Sequence, residues 1–573
     1  MAERAVFDGE AAERVVAELR ESYNFGKTRS YEWRVNQLKN LLKLIEENEE
    51  EMVDKIHSDL HKPEPEAFAH EDLSNPRFFF LSLYVDTCRR RRRRRFAMLE
   101  MEVFDVAAAT ESVKKLRGSF TTGRTRSYEW RVPQLESLLK LSVEHEESLW
   151  HLQACVGIHC SRGLLKNSCQ LALKELRHWM APEKVKTSIT IFPSSAAIVP
   201  EPLGVVLIIS AWNYPYLVSL DPVVGAIAAG NAVVLKPSEI SPSTSSLMAK
   251  LLGKYLDTSA VRVVEGAVPE TSALLEQKWD KIFYTGNGRV GRVVMAAAAK
   301  HLTPVVLELG GKSPVVVDSE INLQVASRRI ISGKWGCNNG QACVAPDYVI
   351  TTKEFAPKLV ESLKQELERF YGKNPLETKD LSRIVNAYHF DRLIKLLEDD
   401  KISGKIVHGG EKDKSKLQIA PTLLVDVPRD SLIMTEEIFG PLLPILTVDK
   451  VEDSFEVVNS GSKPLAAYLF TNNKKLKERF VACISAGAIG INDTALQLSV
   501  NTLPFGGVGE SGMGAYHGKF SFDTFSHKKA VLYRIFAGDV PMRYPPYSNE
   551  KLRFLKALLG GSILELIRAL LGW

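Results

Sequence analysis

From about residue 189 onwards the chain alternates short apolar runs with longer amphipathic segments. The apolar runs are rich in β-branched residues and read VVLIIS, AVVLKP, VRVVEG, KIFYTG, PVVLELGG and PVVVDS. Between most of them lie helix-like segments such as SSLMAKLLGKYL and RVVMAAAAKHL. Near-continuous apolar strands that alternate with helices are typical of a parallel sheet covered on both faces. The pattern therefore predicts an α/β fold, with a second α/β domain from about Ser313 to Asn492.

The N-terminal part of the chain contains a duplicated segment. TRSYEWRV occurs at residues 28–35 and again at 125–132, and the similarity continues through QLKNLLKL and QLESLLKL. Each copy has the apolar spacing of an amphipathic helix. Two copies do not make a solenoid, which needs about three units or more to bury a continuous core. The run Arg89–Arg95 between them is interpreted as a solvated linker, since short basic runs often match targeting patterns by chance.

Composition excludes several classes of protein. The chain has 573 residues, with 45% hydrophobic and 25% charged residues, which suits a soluble protein of several domains. Its net charge of +5 is smaller than the charge of the arginine run alone, so no nucleic-acid partner is expected. The seven cysteines contain no CxxC pair, which favours a reducing compartment and predicts no metal site. The acidic, polar start is not a secretory signal, so we expect a cytoplasmic protein.

A glycine-rich motif follows the apolar run KIFYT. GNGRVG at Gly286–Gly291 fits GxGxxG, and it opens a segment with helical spacing. Gly286, Gly288 and Gly291, with Asn287 between them, would permit a tight turn and a close approach to a pyrophosphate. The alternative is a glycine-rich turn without a ligand. The ribose-binding acidic residue that accompanies this motif could be Glu308 or Glu239, and the pattern alone does not decide between them.

Several segments together resemble the aldehyde dehydrogenase superfamily. They are SAWNYP, GNAVVLKPSE, YTGNGRVG, LELGGKSP, GQACVAPD, EEIFGPLLP and LPFGGVGESGMGAYHGKFSFDTFSHKK. HLTPVVLELGG and the last segment resemble class 3 members, which include fatty aldehyde dehydrogenases, and KWGCNNGQAC resembles the plant-type branch. The resemblance implies a Rossmann-like NAD-binding domain, a catalytic α/β domain and a small oligomerisation strand region. The expected boundaries are 1–117 for an extra N-terminal segment, 118–310 for the NAD-binding domain, 311–500 for the catalytic domain, 501–546 for the return to the cofactor domain with the oligomerisation strand, and 547–573 for a tail.

The resemblance also assigns roles to individual residues. It implies Cys343 of GQAC as the nucleophile, Glu308 of LELGG as the general base and Asn213 of AWNYP as the oxyanion-hole amide. By the same resemblance, Glu239 takes the ribose role that the pattern had left open. The resemblance further implies that Lys236 holds the adenosine ribose together with Glu239. It implies that Glu437 and Phe439 hold the nicotinamide ribose. The residues that it places along an aldehyde tunnel are Trp212, Tyr214 and Phe505.

This set of residues suits oxidation of an aldehyde to a carboxylic acid. An aldehyde carbon can give up a hydride only after a nucleophile has added to it, and a thiolate leaves a thioester that water can cleave. The amide of Asn213 and the backbone N–H of Cys343 would stabilise the oxyanion, and Glu308 would activate the water. Two alternatives stay open: a CoA-acylating dehydrogenase, against which Glu308 argues, and an inactive relative with a binding or structural role. NAD is the expected cofactor because Glu239 would repel a 2′-phosphate, with NADP as the alternative.

Both ends of the chain raise further expectations. The family fold has one slot for the TRSYEWRV helix, and the sequence leaves open which copy fills it. Class 3 resemblance implies a homodimer. The tail LRFLKALLGGSILELIRALLGW has an apolar face opposite Glu565 and Arg568, which predicts a peripheral helix on an intracellular membrane such as the endoplasmic reticulum, with Trp573 as an interfacial anchor. The alternative is that this helix packs on the protein or on a dimer partner.

Overall fold

The computed structural model describes residues 14–19, 22, 25–26, 30–60, 110, 123–124, 161–187, 194–537, 539 and 544. These residues divide into two compact units. The first unit contains the described residues up to Leu176 and from Pro202 to Phe525, and it carries both large sheets. The second contains the described residues from Arg177 to Glu201 and from Ser526 onwards. The second copy of the duplicated segment and the predicted tail lie outside the described residues.

The strands, numbered in chain order, are β1 (Phe25–Gly26), β2 (Gly123–Arg124), β3 (Glu183–Val185), β4 (Ser195–Pro202), β5 (Val205–Ile209), β6 (Ala232–Lys236), β7 (Val261–Val263), β8 (Lys281–Thr285), β9 (Val305–Glu308), β10 (Pro314–Val317), β11 (Tyr348–Thr352), β12 (Ile406–His408), β13 (Lys412–Asp413), β14 (Gln418–Ile419), β15 (Thr422–Val425), β16 (Leu442–Val448), β17 (Ala466–Phe470), β18 (Ala488–Ile491), β19 (Gly512–Met513) and β20 (Ser526–Tyr533).

The α-helices, in the same order, are α1 (Tyr31–Glu47), α2 (Glu49–Leu60), α3 (Ser161–Met180), α4 (Leu217–Ala229), α5 (Pro242–Tyr255), α6 (Val268–Leu275), α7 (Gly288–Ala299), α8 (Leu323–Lys334), α9 (Ala356–Tyr371), α10 (Ala387–Leu397), α11 (Leu432–Thr435), α12 (Ser454–Asn459), α13 (Lys474–Cys483) and α14 (Gly518–Thr524).

The first large sheet has the strand order β19-β9-β8-β5-β6-β7. All its neighbours are parallel except β19, which runs antiparallel to β9 at one edge. Every residue of β5 and β6 is buried, as their near-continuous apolar sequences predict. Each fully buried Val, Leu or Ile side chain contributes about 1.5–3 kcal/mol of hydrophobic stabilisation. The parallel strands bring their carboxyl ends to one edge of the sheet, where ligands of such folds bind.

The second large sheet has the order β12-β15-β16-β11-β10-β17-β18, and only β12 is antiparallel to its neighbour. One continuous apolar cluster fills the space between this sheet and helices such as α10 and α13. The predicted strand PVVVDS is β10, near the centre of this sheet. Two parallel α/β sheets in one chain confirm the predicted fold class.

The second unit contains a three-stranded sheet with the order β20-β4-β3. β3 and β4 pair in antiparallel register, from Glu183 opposite Ile198 to Val185 opposite Ala196. Of its strands, β20 lies within residues 501–546, where the sequence predicted an oligomerisation strand, whereas β3 and β4 lie within the range predicted for the NAD-binding domain. Among the described residues of the whole chain, no helix is both long and apolar enough to cross a membrane.

The first copy of the duplicated segment forms the start of α1. Ser30 is the N-cap residue, and its Oγ accepts a hydrogen bond of 3.0 Å from the Trp33 amide. One face of α1 packs against α4 and α5 of the first sheet's helical layer. In this structure the slot that the sequence left open is therefore filled by the first copy.

Candidate active site

The loop that carries Cys343 begins with an unusual backbone turn. Asn338 and Asn339 both have φ = 51°, and Gly340 has φ = 81°. Asparagine tolerates this left-handed region better than most residues, and glycine adopts it freely. A Cβ atom at Gly340 would lie only 2.2 Å from the Gly440 carbonyl oxygen, so only glycine fits there. The turn ends at Gln341, two residues before the partly accessible Cys343.

Side-chain amides fix this loop on two sides. The Gln341 Nε2 donates to the Arg383 carbonyl at 2.9 Å, and its Oε1 accepts from the Val385 amide at 3.0 Å. The Asn213 Nδ2 donates to the Gln341 carbonyl at 3.1 Å, and the Asn338 Nδ2 donates to the Asn213 carbonyl at 3.1 Å. Asn213 follows β5 of the first sheet and is almost fully buried. These bonds therefore tie the carboxyl end of one sheet to the cysteine loop of the other.

Glu308 is the last residue of β9 and is only 1% exposed. Neither of its carboxylate oxygens has a hydrogen-bond partner of good geometry among the described residues. Burial raises its pKa to about 7, although the nearby Cys343 thiol and Thr285 hydroxyl favour the charged form. In turn, burial and the negative charge of Glu308 raise the pKa of the Cys343 thiol well above its usual range. The nucleophile and base that the sequence named therefore lie next to each other, with a carboxyl group that can accept the thiol proton.

The glycine motif has the strand–turn–helix context that the sequence predicted. β8 ends at Thr285, and α7 begins at Gly288. The Asn287 Oδ1 accepts from the Val290 amide at 3.0 Å, so Asn287 is the N-cap of α7. A Cβ atom at Gly291 would lie 3.0 Å from Leu309 Cδ2, and one at Gly286 would lie 2.3 Å from the Tyr284 hydroxyl. The motif thus leaves its helix N-terminus open to an approaching phosphate.

Lys236 and Glu239 form an ion pair at the end of β6, with 2.6 Å between Nζ and Oε2. Lys236 is buried, whereas Glu239 is 41% exposed at its side chain. Tyr284 connects this pair to the base, because the charges of both Glu308 and Glu239 act with burial to raise its pKa. The predicted ribose pair and the predicted base therefore flank one tyrosine at the same edge of the first sheet.

Glu437 and Phe439 lie on a loop that precedes β16, and three residues without an assigned role hold that loop. The Lys312 Nζ donates to the Glu436 carbonyl at 2.9 Å and pairs with Asp347. The Asp347 Oδ1 accepts from the Ile438 amide at 2.8 Å. Arg392 donates to the Ile438 carbonyl at 2.5 Å. Lys312 and Asp347 stand in LELGGKSP and GQACVAPD, so motif membership was the available sequence signal, whereas nothing in the sequence singled out Arg392.

The carboxyl group of Glu437 has several neighbours that favour its charged form. It accepts a hydrogen bond from the Gly311 backbone, and Lys312 and Arg392 favour its charged form. Burial and the charge of Asp347 outweigh these effects and raise its pKa to about 8. A Cβ atom at Gly310 would lie 2.3 Å from a Glu437 carboxylate oxygen, so this glycine makes room for the carboxylate. Glu437 is nevertheless partly accessible from the cleft.

A cavity of about 550 Å³ is lined by residues of the glycine motif, of LELGGKSP and of the Glu437 loop, whereas Cys343 and Glu308 are not among its lining residues. Asn287 and Gly288 line it at the N-terminus of α7, and Gly310 and Glu437 line it further in. Its size suits a small organic molecule or half of a dinucleotide. No group of three or more His, Cys, Asp or Glu side chains that could hold a metal ion occurs in the described part of the chain.

Aromatic residues border the nucleophile and the Glu437 loop. Trp212 packs edge-to-face on Phe439 with 5.5 Å between ring centroids, which joins a predicted tunnel residue to a predicted cofactor residue. Phe505 pairs with Tyr516 through two backbone hydrogen bonds of 2.9 Å. Burial and the nearby charges of Glu308, Asp221 and Cys343 raise the pKa of Tyr516, so this pair lies near the predicted base and nucleophile. Tyr214 is half-buried just before α4, and its carbonyl accepts from the Val218 amide.

Comparison with known proteins gives matches over most of the chain. The model of the aldehyde dehydrogenase family matches residues 104–531. Aldehyde dehydrogenase family 3 member H1 of Arabidopsis thaliana is 67% identical over 482 residues, which cover 83% of this chain and 100% of the relative. The substrate-bound structure of Staphylococcus aureus AldH superposes with a TM-score of 0.75 at 34% identity, over 93% of this chain and 96% of that chain. Glyceraldehyde-3-phosphate dehydrogenase GapN of Methanocaldococcus jannaschii, complexed with NADP, has a TM-score of 0.67 at 21% identity, over 92% and 95% of the two chains, which shows a shared fold alone.

Proposed function

The chain belongs to the aldehyde dehydrogenase family, as an NAD(P)-dependent enzyme of family 3, and from that premise we propose that Cys343 and Glu308 together oxidise an aldehyde to its carboxylic acid. The observation that carries this proposal is the position of the Cys343 thiol beside the buried Glu308 carboxyl. A buried carboxylate without a good hydrogen-bond partner is costly, and it persists where it has a role in chemistry.

The first stage is addition of sulfur to the aldehyde. Glu308 accepts the proton of the Cys343 thiol, and the thiolate forms a bond to the carbonyl carbon, whose π electrons move to oxygen. The Asn213 amide, held by the Gln341 carbonyl, and the backbone N–H of Cys343 donate to that oxyanion. A preorganised donor of this kind is worth about 3 kcal/mol in the transition state. When bound, the nicotinamide ring supplies the acceptor for the hydride, and a thioester on Cys343 remains.

The second stage is hydrolysis of the thioester. Glu308, once it has released the thiol proton to solvent, takes a proton from water, and the resulting hydroxide attacks the acyl carbon. The C–S bond breaks, the acid leaves and the Cys343 thiol is restored. A base with a pKa of about 7 suits this step, because near neutral pH it is about half deprotonated and still a useful proton acceptor.

A single-turnover experiment tests this division of steps. Glu308→Gln, given NAD and an aliphatic aldehyde, should release about one equivalent of NADH or less and then stall. Intact-protein mass spectrometry should find the acyl group on Cys343, and Cys343→Ala in the same background should show neither NADH nor adduct. Steady turnover of Glu308→Gln near the wild-type rate, without accumulated acyl-enzyme, would overturn the deacylation role of Glu308, whereas a variant that forms no adduct would show that acylation depends on Glu308 as the acceptor of the thiol proton.

The same assay separates the alternative functions. The wild-type enzyme should turn over without added CoA and gain nothing from it. Turnover that requires CoA, with acyl-CoA as product, would identify a CoA-acylating enzyme. Absence of NADH from the wild-type protein with every aldehyde tried would favour a binding or structural role.

We further propose medium- or long-chain aliphatic aldehydes as substrates and NAD as the preferred cofactor. The aromatic wall of Trp212, Phe505 and Tyr516 supports an apolar substrate. The ion pair between Lys236 and Glu239 supports NAD, because the carboxylate offsets the lysine charge that a 2′-phosphate would need. A chain-length series of aldehydes with each cofactor tests both, and the proposal predicts kcat/KM that rises with chain length.

A homodimer formed through the second unit is also proposed. Leu532, Ile535 and Phe536 are exposed at and after β20, which is an edge strand of its sheet. Exposed apolar side chains on a sheet edge favour pairing with another chain. Light scattering should give a dimer, and Phe536→Asp with Leu532→Asp should give a monomer.

For the tail, which lies outside the described residues, we propose attachment to an intracellular membrane from the cytoplasm. Its predicted apolar face and Trp573 are the support. The full chain should sediment with liposomes, whereas a chain ending at Ser548 should not. Sedimentation of both forms, or of neither, would contradict the attachment.

A further inference from the structure

A groove on the first sheet's helical layer receives α1 through three specific contacts. The Arg34 side chain is fully buried, donates to the Ala228 carbonyl and lies against Gly230. The Trp33 Nε1 donates to Asp257 Oδ2 at 2.5 Å. The Gln37 Oε1 accepts from the Asp257 amide at 2.6 Å. We call the surface formed by Ala228, Gly230 and Asp257 the α1 groove.

The second copy of the duplicated segment carries the same contact residues. Residues 28–44 read TRSYEWRVNQLKNLLKL, and residues 125–141 read TRSYEWRVPQLESLLKL. Trp130, Arg131 and Gln134 therefore stand at the spacing of the three residues that contact the groove. The buried apolar positions of α1 are also kept, as Val132, Leu135, Leu138 and Leu141. The residue types with which α1 contacts the groove are thus present twice in the sequence.

The short strands that precede the two copies in the sequence pair with each other. β2, at Gly123–Arg124, pairs in parallel with β1, at Phe25–Gly26. The first copy begins two residues after β1, at Thr28, and the second begins directly after β2, at Thr125. Each copy therefore follows in sequence a strand that pairs in parallel with the strand preceding the other copy. The aldehyde dehydrogenase family model, which starts at residue 104, is matched by the second copy.

Two charged contacts distinguish the copies. Arg262 pairs with Glu18, and the corresponding residue ahead of the second copy is Lys115. The Asp59 carboxylate accepts from the Ser243 amide at 3.1 Å and the Thr244 amide at 2.8 Å at the start of α5. The residue that corresponds to Asp59 after the second copy is Val156. The second copy therefore has the residue types of the central contacts but not those of the two outer ones, and Lys115 carries the same sign of charge as Arg262.

We propose that the α1 groove is a docking site for residues 125–141 of the same chain, which replace α1 when α1 is released. The first copy is the stronger occupant because of Glu18 and Asp59. The second copy is a competent substitute that covers the helical layer when α1 is released. The first sheet, which carries the proposed cofactor site, therefore stays folded.

Hydrogen–deuterium exchange of the full chain tests the exchange of copies, because peptides from 31–47 and 128–144 differ in sequence. In the wild type, the first peptide should be protected and the second should exchange at least tenfold faster. In Arg34→Ala, protection should move to 128–144, with NAD-dependent activity kept. Arg131→Ala is the matched control and should resemble the wild type.

A second set of variants changes only the distinguishing contacts. Glu18→Lys with Asp59→Val gives the first copy the residues of the second, so the two peptides should become protected to comparable extents. Arg34→Ala with Arg131→Ala should protect neither peptide and should lower the melting temperature more than the two single variants combined.

Three outcomes would overturn the proposal. Peptide 128–144 could exchange as fast in Arg34→Ala as in the wild type. Arg34→Ala could fail to fold while Arg131→Ala folds, which a competent substitute would prevent. Protection of 128–144 in Arg34→Ala could rise with protein concentration, which would mean that the segment docks from another chain.

Discussion

The two walls of the catalytic cleft each present one carboxyl group, and they hold it in different ways. We call the side formed by the first sheet, where Glu308 is the last residue of β9, the Glu308 wall. We call the side formed by the second sheet, which includes Cys343 and the Glu437 loop, the Cys343 wall. Burial raises the pKa of both carboxyl groups, to about 7 for Glu308 and about 8 for Glu437. The Cys343 thiol and the Thr285 hydroxyl favour the charged form of Glu308, whereas the Gly311 backbone, Lys312 and Arg392 favour the charged form of Glu437.

We propose that this difference in neighbours separates a group that exchanges protons, Glu308, from a group that holds a ligand, Glu437. A carboxylate whose oxygens are unpaired can approach water or a thiol without breaking an existing bond. A carboxylate fixed by a backbone amide and by a loop that Lys312, Asp347 and Arg392 brace has little freedom to move. Equal residue type and similar pKa therefore do not imply equal roles, and the following experiments are designed to separate them.

The largest effect is expected for the nucleophile. Cys343→Ala should lower kcat/KM by about 10⁴-fold or more, because no other group in the site replaces the sulfur. Binding of NAD, measured by calorimetry, should stay within about twofold, since truncating one thiol removes little contact area. Cys337→Ala is the matched control, because it truncates a buried cysteine in the same segment and should keep most activity. Comparable loss in the control would place the reactive sulfur elsewhere.

The next largest effect is the pH dependence of deacylation. Only the deprotonated form of Glu308 is a base, and its pKa is raised to about 7, so protonation removes the base as the pH falls below that value. The single-turnover rate of acid release should fall about tenfold per pH unit below the pKa and level off above it. Stopped-flow measurement on preformed acyl-enzyme gives this rate directly. A midpoint near the ordinary value of a glutamate would show that burial does not control the base.

Glu437→Gln should have a smaller effect, and on the cofactor rather than on the acyl chemistry. At pH 9, where a carboxyl with a pKa of about 8 is mostly deprotonated, the amide keeps the shape of the side chain but replaces a charged acceptor for ribose hydroxyls with a neutral one. The loss is about 1 kcal/mol, which raises the Kd of NAD by about fivefold to tenfold. Hydrolysis of an activated ester, which needs only Cys343 and Glu308, should be unchanged. Loss of ester hydrolysis in Glu437→Gln would mean that the two carboxyl groups are not functionally separate.

The sequence predicted the sheets and the motif residues for a clear physical reason. Strands buried on both faces must be apolar throughout, so runs such as VVLIIS at Val205 show where β5 and its neighbours lie. Residues that contact a ligand often stand within short sequence motifs. The structure brings Cys343, Glu308 and Asn213, each from a different motif, close together. The context of the glycine turn, between β8 and α7, was equally local and equally predictable.

What the sequence did not predict depends on contacts between distant residues. Arg392 holds the Glu437 loop from α10, and no spacing in the chain connects the two. Trp212 packs on Phe439 across the cleft, although the motifs assign them to different ligands. The occupant of the α1 groove was undetermined because Trp33 and Trp130 lie in the same TRSYEWRV context. The contacts of Glu18 and Asp59, which lie outside the shared TRSYEWRV segment, favour the first copy.

The smallest effect is expected at the outer end of the Glu308 wall, where Glu239 pairs with Lys236. Glu239→Gln removes the negative charge but keeps the length of the side chain, so Lys236 becomes available to a 2′-phosphate. Glu239 is 41% exposed, and charge effects at such sites are screened, so kcat/KM with NADP should rise only about threefold to tenfold. The same change weakens a hydrogen-bond acceptor for the ribose hydroxyls, so kcat/KM with NAD should fall about twofold to fivefold. Lys236→Met in the same background supplies the control, because without the ammonium group the gain with NADP should disappear. Equal rises for both cofactors would show that Glu239 acts on the fold of the site rather than on the choice of cofactor.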